Sequence, residues 1–206
     1  MKKITKKKRV KDYNNYAKWY DLLIWPLEKT ILKSKRKKLI SNAKGEVLEI
    51  AIGTGANLKY YGKECKRITG IDPSKEMLKK AKKKSTKIKI KTKLILGQIE
   101  KLKFKEKSFD TIVDTLGICT YKEPMKVIKI MKKLCKPKGR IILLEHGISN
   151  NELIRQLQKR REKKHYLKTG CSLIRNPEEL VKKAGMKIIR AKRSTLGIIY
   201  SIIAKP

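Results

Sequence analysis

The chain has 206 residues, 40% of them hydrophobic, enough for one domain with a full core and too few for two. Its formal charge is +38 at pH 7, but lysine recurs in every segment and arginine, the better bidentate phosphate reader, is scarce. That distribution argues against a dedicated nucleic-acid groove and predicts non-specific adhesion to RNA or to an anionic membrane surface.

In chain order, the basic start Met1 to Lys11 lacks the apolar stretch of a secretory signal. Residues Asn15 to Ser41 carry apolar positions at helical spacing, interrupted at Pro26, and predict two short helices beside a sheet. Glu46 to Ile50 reads as a buried parallel strand, and Arg67 to Ile71 as the next. Pro73 ends that second strand and Ser74 caps a helix from Lys75 to Lys84. A third strand lies within Ile88 to Leu96 and a fourth runs from Phe109 to Leu116, followed by a helix over Lys122 to Leu134. Pro137-Lys138-Gly139 reads as a turn into a fifth strand, Arg140 to Glu145. Asn150 to Lys164 is helical, Asn176 caps a helix begun by Pro177, and Met186 to Ala191 with Gly197 to Ala204 forms a closing hairpin-like pair. The expected fold is α/β, a doubly wound seven-stranded sheet, mostly parallel with an antiparallel edge strand. Residues 1–45 are read as a helical lid and basic arm, and 46–206 as the α/β domain.

Cys65, Cys119, Cys135 and Cys171 contain no C-x-x-C pair, and the only histidines are His146 and His165. Spacing therefore supports neither a zinc centre nor a disulfide framework; a reducing compartment is expected, and no metal. No apolar run approaches the roughly 20 residues that span a bilayer. The expectation is a cytoplasmic monomer, with peripheral contact at an anionic membrane through Trp19 and Trp25 beside the lysines.

The chemistry concentrates where the first strand breaks into Ala51-Ile52-Gly53-Thr54-Gly55-Ala56-Asn57. Gly53 and Gly55 permit a sharp turn and close approach to a ligand, and Asp72, ending the second strand, is placed to accept hydrogen bonds from ribose hydroxyls. The third glycine of a dinucleotide loop is absent, and no Gly-Lys-Ser/Thr follows to make a P-loop. Glu49 would repel a diphosphate, whereas it suits the α-amino group of S-adenosylmethionine. With ligands bound at the carboxyl ends of the strands, the pocket is expected from Gly53 to Asn57, Asp72 to Ser74, Gly97 to Glu100 and Thr115 to Thr120. Ile71 and Met77 suit the adenine ring.

The loop resembles motif I of the class I methyltransferases, a Rossmann-like fold. Together with Ile71-Asp72-Pro73, Thr115-Leu116-Gly117-Ile118-Cys119, Leu144-Glu145-His146-Gly147 and Gly170-Cys171, it is similar to the thiol methyltransferase-like group and a yeast mitochondrial methyltransferase-like family. More distantly it resembles quinone C-methyltransferases and phosphatidylethanolamine N-methyltransferases. Ala51 stands where most relatives have glycine, and Gln98 where many carry an acid facing the adenine amine, with Ile99 completing the slot.

The resemblance implies S-adenosylmethionine as cofactor, held by Glu49, Ala51, Gly53, Gly55, Asn57, Asp72, Pro73, Met77, Gln98, Ile99 and Thr115. It also implies an N-terminal helix laid over the cofactor, with Tyr20 or Tyr16 reaching the methionine carboxylate. The acceptor is then a small or lipid-like molecule: a thiol, an amine or a quinone. His146, just past the fifth strand, is the candidate general base. Two other readings are carried: an RNA methyltransferase, against which Asp114 to Gly117 lacks an Asn/Asp-Pro-Pro-Tyr/Phe loop, and a catalytically silent cofactor-binding assembly factor.

Overall fold

Successive residues of a strand face opposite sides of a sheet, and here both sides are apolar. Leu48, Ile50, Ile112, Ile141 and Leu143 enter one buried cluster, while Val47, Val113, Ile142 and Leu144 enter the other. A sheet that is apolar on both faces must be covered on both, so the molecule has three layers. The computed structural model describes Asp21, Leu22 and residues 25–206; Tyr16, Trp19 and Tyr20 lie outside the described residues.

The strands are β1 (Gly45–Ile50), β2 (Cys65–Asp72), β3 (Lys91–Leu96), β4 (Phe109–Thr115), β5 (Cys135–His146), β6 (Lys187–Ser194) and β7 (Ile199–Lys205). Their order in the sheet is β3-β2-β1-β4-β5-β7-β6. The first five are parallel; β7 inserts antiparallel between β5 and β6, so the antiparallel strand lies one in from the rim.

On the first face pack α3 (Pro124–Leu134), through Val127, Ile128, Met131 and Leu134, and α5 (Pro177–Lys183), through Val181. The other face is covered by α1 (Lys33–Ile40), entered through a π-helical turn at Glu28–Leu32, and by Leu78 of α2 (Lys75–Ser85). Pro26, expected to interrupt this stretch, is itself helical and leads into α1. The long α4 (Glu152–Thr169) is capped by Asn151, which accepts from the Ile154 N–H, and ends at Gly170 in the left-handed conformation.

Local signals correspond closely to the elements. Ser74 accepts from the Met77 N–H and Asn176 from the Glu179 N–H, each starting the helix expected there. The turn expected at Pro137–Gly139 takes another form: Phe109 pairs with Cys135 but Thr111 already pairs with Arg140, so residues 136–139 bulge out of a strand that is otherwise continuous. Gly139 is needed there, since a Cβ would press on the Cys135 sulfur and the Asp110 carbonyl.

One polar node joins the layers at the end of β1. The Glu49 carboxylate is buried; its Oε1 accepts from Asn57 Nδ2 at 2.7 Å and its Oε2 from the Tyr61 hydroxyl at 2.7 Å. Arg36 of α1 donates to Asn57 Oδ1 at 2.8 Å and to Thr115 Oγ1 at 2.9 Å. Burial pushes the Glu49 carboxyl up to about 7, against the hydrogen bonds of Tyr61 and Asn57 and the charge of Arg36. Asn57→Ala removes a partner from Glu49, Arg36 and Thr115 at once and should cost about 2–3 kcal/mol in urea unfolding; a change within ±0.5 kcal/mol would show that the node is replaceable by water.

Candidate functional site

At the carboxyl end of β1 the chain turns through Ala51 (φ 52°) and Gly53 (φ 56°). The Gly53 N–H donates to Asp72 Oδ2 at 2.9 Å and the Ser74 N–H to Asp72 Oδ1 at 2.8 Å. Both carboxylate oxygens are thus oriented by backbone, and each keeps a lone pair for a further donor. Burial raises the Asp72 carboxyl to about 6, with the Ser74 and Gly53 amides opposing the shift. A Cβ on Gly53 would meet only the Ala51 carbonyl, at 3.9 Å, so this backbone is open to whatever fills the space before it. Gly55 is different: a Cβ there would strike Leu58 Cδ1 at 2.6 Å and approach Ala81, so its glycine serves the packing of α2.

An open cavity lies over these strand ends. Of the residues expected at the cofactor, Ala51, Gly53, Asp72, Pro73, Met77, Gln98, Ile99 and Thr115 line it, and Ile71 joins them. Glu49, Gly55 and Asn57 do not. Glu49, expected at the cofactor's amino group, is spent on Asn57 and Tyr61, and Asn57 on Glu49 and Arg36. Tyr20 lies outside the described residues. Its neighbour Asp21 accepts from Thr54 Oγ1 at 2.7 Å and pairs with Lys84 at 3.2 Å, tying the start of the described chain to the glycine loop.

Tyr121 and Lys122 complete the cavity wall and were not singled out for the cofactor from sequence. Beneath them lie two buried acids. Asp114 Oδ2 accepts from the Tyr121 hydroxyl at 2.8 Å, and Glu145 Oε1 from the Gly117 N–H at 3.2 Å. Asp114 Oδ1 and Glu145 Oε2 have no partner among the described residues. Burial lifts Asp114 to about 8, and burial together with Asp114 holds Glu145 well above the usual carboxylate range. A Cβ on Gly117 would collide with Asp114 Oδ1, so glycine is required where the loop crosses the acid. The signal for this pair was an acid inside each of two apolar runs, Ile112-Val113-Asp114 and Leu143-Leu144-Glu145.

His146, the candidate general base, does not line the cavity. Its Nε2 lies 3.0 Å from the Cys171 sulfur, and Cys119 joins them, all three ligand atoms falling within 4.8 Å of one another. Hydrogen bonds from Cys119 and then from His146 bring the Cys171 thiol down to about 4 against its burial. Chain spacing had separated these residues, and only the fold assembles them.

A seven-stranded sheet in this order, with a glycine loop and an acid at the ends of its first two strands, defines the Rossmann-like methyltransferase class. A methyltransferase-domain family model matches residues 48–143, and an uncharacterised protein of Methanocaldococcus jannaschii is 30% identical over 87% of this chain and 80% of its own length. The chain belongs to this methyltransferase-domain family. It is 32% identical to the mitochondrial methyltransferase OMS1 of Saccharomyces cerevisiae, over 94% of this chain and 45% of that protein. A human thiol S-methyltransferase is 25% identical over 64% of this chain and 58% of its own. The chain thus spans about half the length of these two relatives. Among solved structures, DhpI in a complex with SAM superposes with a TM-score of 0.76 at 16% identity, covering 99% of this chain and all of that one.

Asp114 titrates near 8 in the folded chain against an ordinary 3.8, so folding takes up a proton between those values and stability is lost as pH rises through that window. Asp114→Asn, which keeps an acceptor for Tyr121, should therefore gain in melting temperature relative to the wild type from pH 5 to pH 8 and level off above. A difference independent of pH would mean that Asp114 ionises freely.

Proposed function

We propose that the chain is an S-adenosylmethionine-dependent methyltransferase acting on a small or lipid-like acceptor, with a thiol foremost. The observation that carries this reading is the Asp72 carboxylate, oriented by the Gly53 and Ser74 amides at the edge of a cavity that Gly53 leaves open. That arrangement suits ribose hydroxyls. Ile71, Met77 and Ile99 supply an apolar slot for adenine, with Gln98 at its rim. Glu49, Asp72, Asp114 and Glu145 lie buried at the strand ends, where a sulfonium cation would favour their ionised forms and a pyrophosphate would oppose them.

When bound, the cofactor supplies an electrophilic methyl for in-line displacement. The chain's task is to align the acceptor and exclude water. Thr120, Tyr121 and Lys122 form the cavity wall away from Asp72, where an acceptor would enter. Lys122, the one lysine in the cavity lining, favours the ionised form of a thiol beside it. No histidine base is needed for such an acceptor, which agrees with the engagement of His146 by Cys171. The human thiol S-methyltransferase among the relatives supports the same acceptor class. No helix among the described residues is long and apolar enough to cross a membrane. Exposed Leu22 and Trp25 beside the lysines suit a cytoplasmic protein that touches an anionic membrane surface.

Transfer of labelled methyl from S-adenosylmethionine to small thiols, amines, quinols and RNA tests the reading. Labelled thioether is the expected product; transfer to RNA alone, or to nothing, would overturn the acceptor class. Asp72→Ala should weaken cofactor binding by about 1–3 kcal/mol in calorimetry, and unchanged affinity would remove Asp72 from the site. Ribose hydroxyls favour the ionised carboxylate, so wild-type affinity should be flat above pH 6 and fall by up to about tenfold per pH unit below it. Affinity unchanged down to pH 5 would contradict the assignment.

A further inference from the structure

The chain has only two histidines and four cysteines, and one histidine and two of the cysteines meet at one point of the fold. Cys119 comes from the turn after β4, His146 ends β5, and Cys171 follows the Gly170 cap of α4. Their ligand atoms lie within 4.8 Å of one another, with His146 Nε2 and Cys171 Sγ at 3.0 Å. The second histidine, His165, stands near the end of α4, on the Cys171 side of this cluster. The other two cysteines are unlike these: Cys65 and Cys135 have only backbone carbonyls as hydrogen-bond partners, and burial pushes each thiol up to about 12.

We infer that Cys119, His146 and Cys171 form a binding site for a thiophilic divalent cation of the Zn2+ class, with His165 recruited from the end of α4 as the fourth ligand when the ion binds. Two sulfurs and imidazole nitrogens are the donor set of a tetrahedral d10 ion, and hard cations such as Mg2+ or Ca2+ would want oxygen. Bonds of about 2.3 Å to sulfur and about 2.0 Å to nitrogen space tetrahedral ligand atoms about 3.5 Å apart, so side-chain adjustments of about 1 Å suffice.

The backbone around the site is already braced without a metal. The Ser172 N–H donates to the Cys119 carbonyl at 2.9 Å, and the Arg175 guanidinium donates to the carbonyls of Ile118 and Tyr121. A bound ion would add a clamp between β5, the segment after α4 and the turn at residues 118–120. That turn is flanked by Gly117, Thr120 and Tyr121 of the cavity wall, so occupancy of the metal site would stiffen one side of the cavity.

The test is titration of the reduced, metal-stripped chain with Co2+ and then Zn2+, which does not depend on the methyltransferase reading. One Co2+ per chain is expected, with a near-ultraviolet sulfur-to-cobalt band and the visible bands of a tetrahedral site, both abolished by Zn2+. Zn2+ should also protect two of the four thiols from alkylation, mapped to Cys119 and Cys171. Cys171→Ser should abolish the sulfur band or weaken binding by about 100-fold or more, Cys65→Ser should change nothing, and His165→Ala should alter the visible bands. Four thiols that stay reactive with no cobalt band would overturn the inference, as would a band that survives Cys171→Ser. Formation of a Cys119–Cys171 disulfide in a chain that binds no Co2+ would likewise overturn it, assigning the pair to redox chemistry. Visible bands unchanged in His165→Ala would remove His165 from the site. The wild-type titration decides the matter even if a variant fails to fold.

Discussion

The buried Glu49 carboxylate and the donors gathered round it are the constraint on which the rest of the site depends. An acid at the end of a central parallel strand cannot reach water, so it must recruit partners from the chain. Asn57 and Tyr61 come from the segment after the glycine loop, and Arg36 reaches in from α1 to hold Asn57 and Thr115. One node therefore fixes α1, the segment following the glycine loop and the end of β4 against β1. With both ends of the loop pinned, Gly53 can sit with an open face and still keep its N–H on Asp72. The cavity wall is thus held by bonds within the chain.

Charge is distributed with the same logic. The net charge is +38 and every described lysine is exposed or half-buried, while Glu49, Asp72, Asp114 and Glu145 are buried at the carboxyl ends of four neighbouring strands. Such a cluster resists ionisation: burial raises Asp114 and Glu145 alike, with Glu49 adding to the shift of Asp114 and Asp114 to that of Glu145. A cationic ligand nearby would relieve that penalty, whereas an anionic one would add to it. The interior thus suits a cationic, nucleoside-like cofactor, and the basic exterior is consistent with the proposed acceptor that reacts as an anion.

What was legible in the sequence was local. Ser74 and Asn176 announce their helices because a cap acts within three residues, and the glycine loop with Asp72 lies within one strand-turn-strand unit. The alternating apolar strands gave the doubly wound class for the same reason. Contacts between distant segments were not legible. Nothing in the neighbourhood of Glu49 reveals that Arg36 and Tyr61 will enclose it. His146 looked free for catalysis until the fold placed Cys171, 25 residues later, against its ring. The bulge at residues 136–139 read as a turn because Pro137 and Gly139 mark both, and only the pairing of Cys135 with Phe109 distinguishes them.

The most direct test of the account is calorimetric titration of the nucleic-acid-free protein with S-adenosylmethionine, S-adenosylhomocysteine and NAD at pH 7.5. The cavity described here should bind the first two at one per chain with micromolar affinity and leave NAD unbound. Binding of NAD alone, or of none of the three, would contradict it.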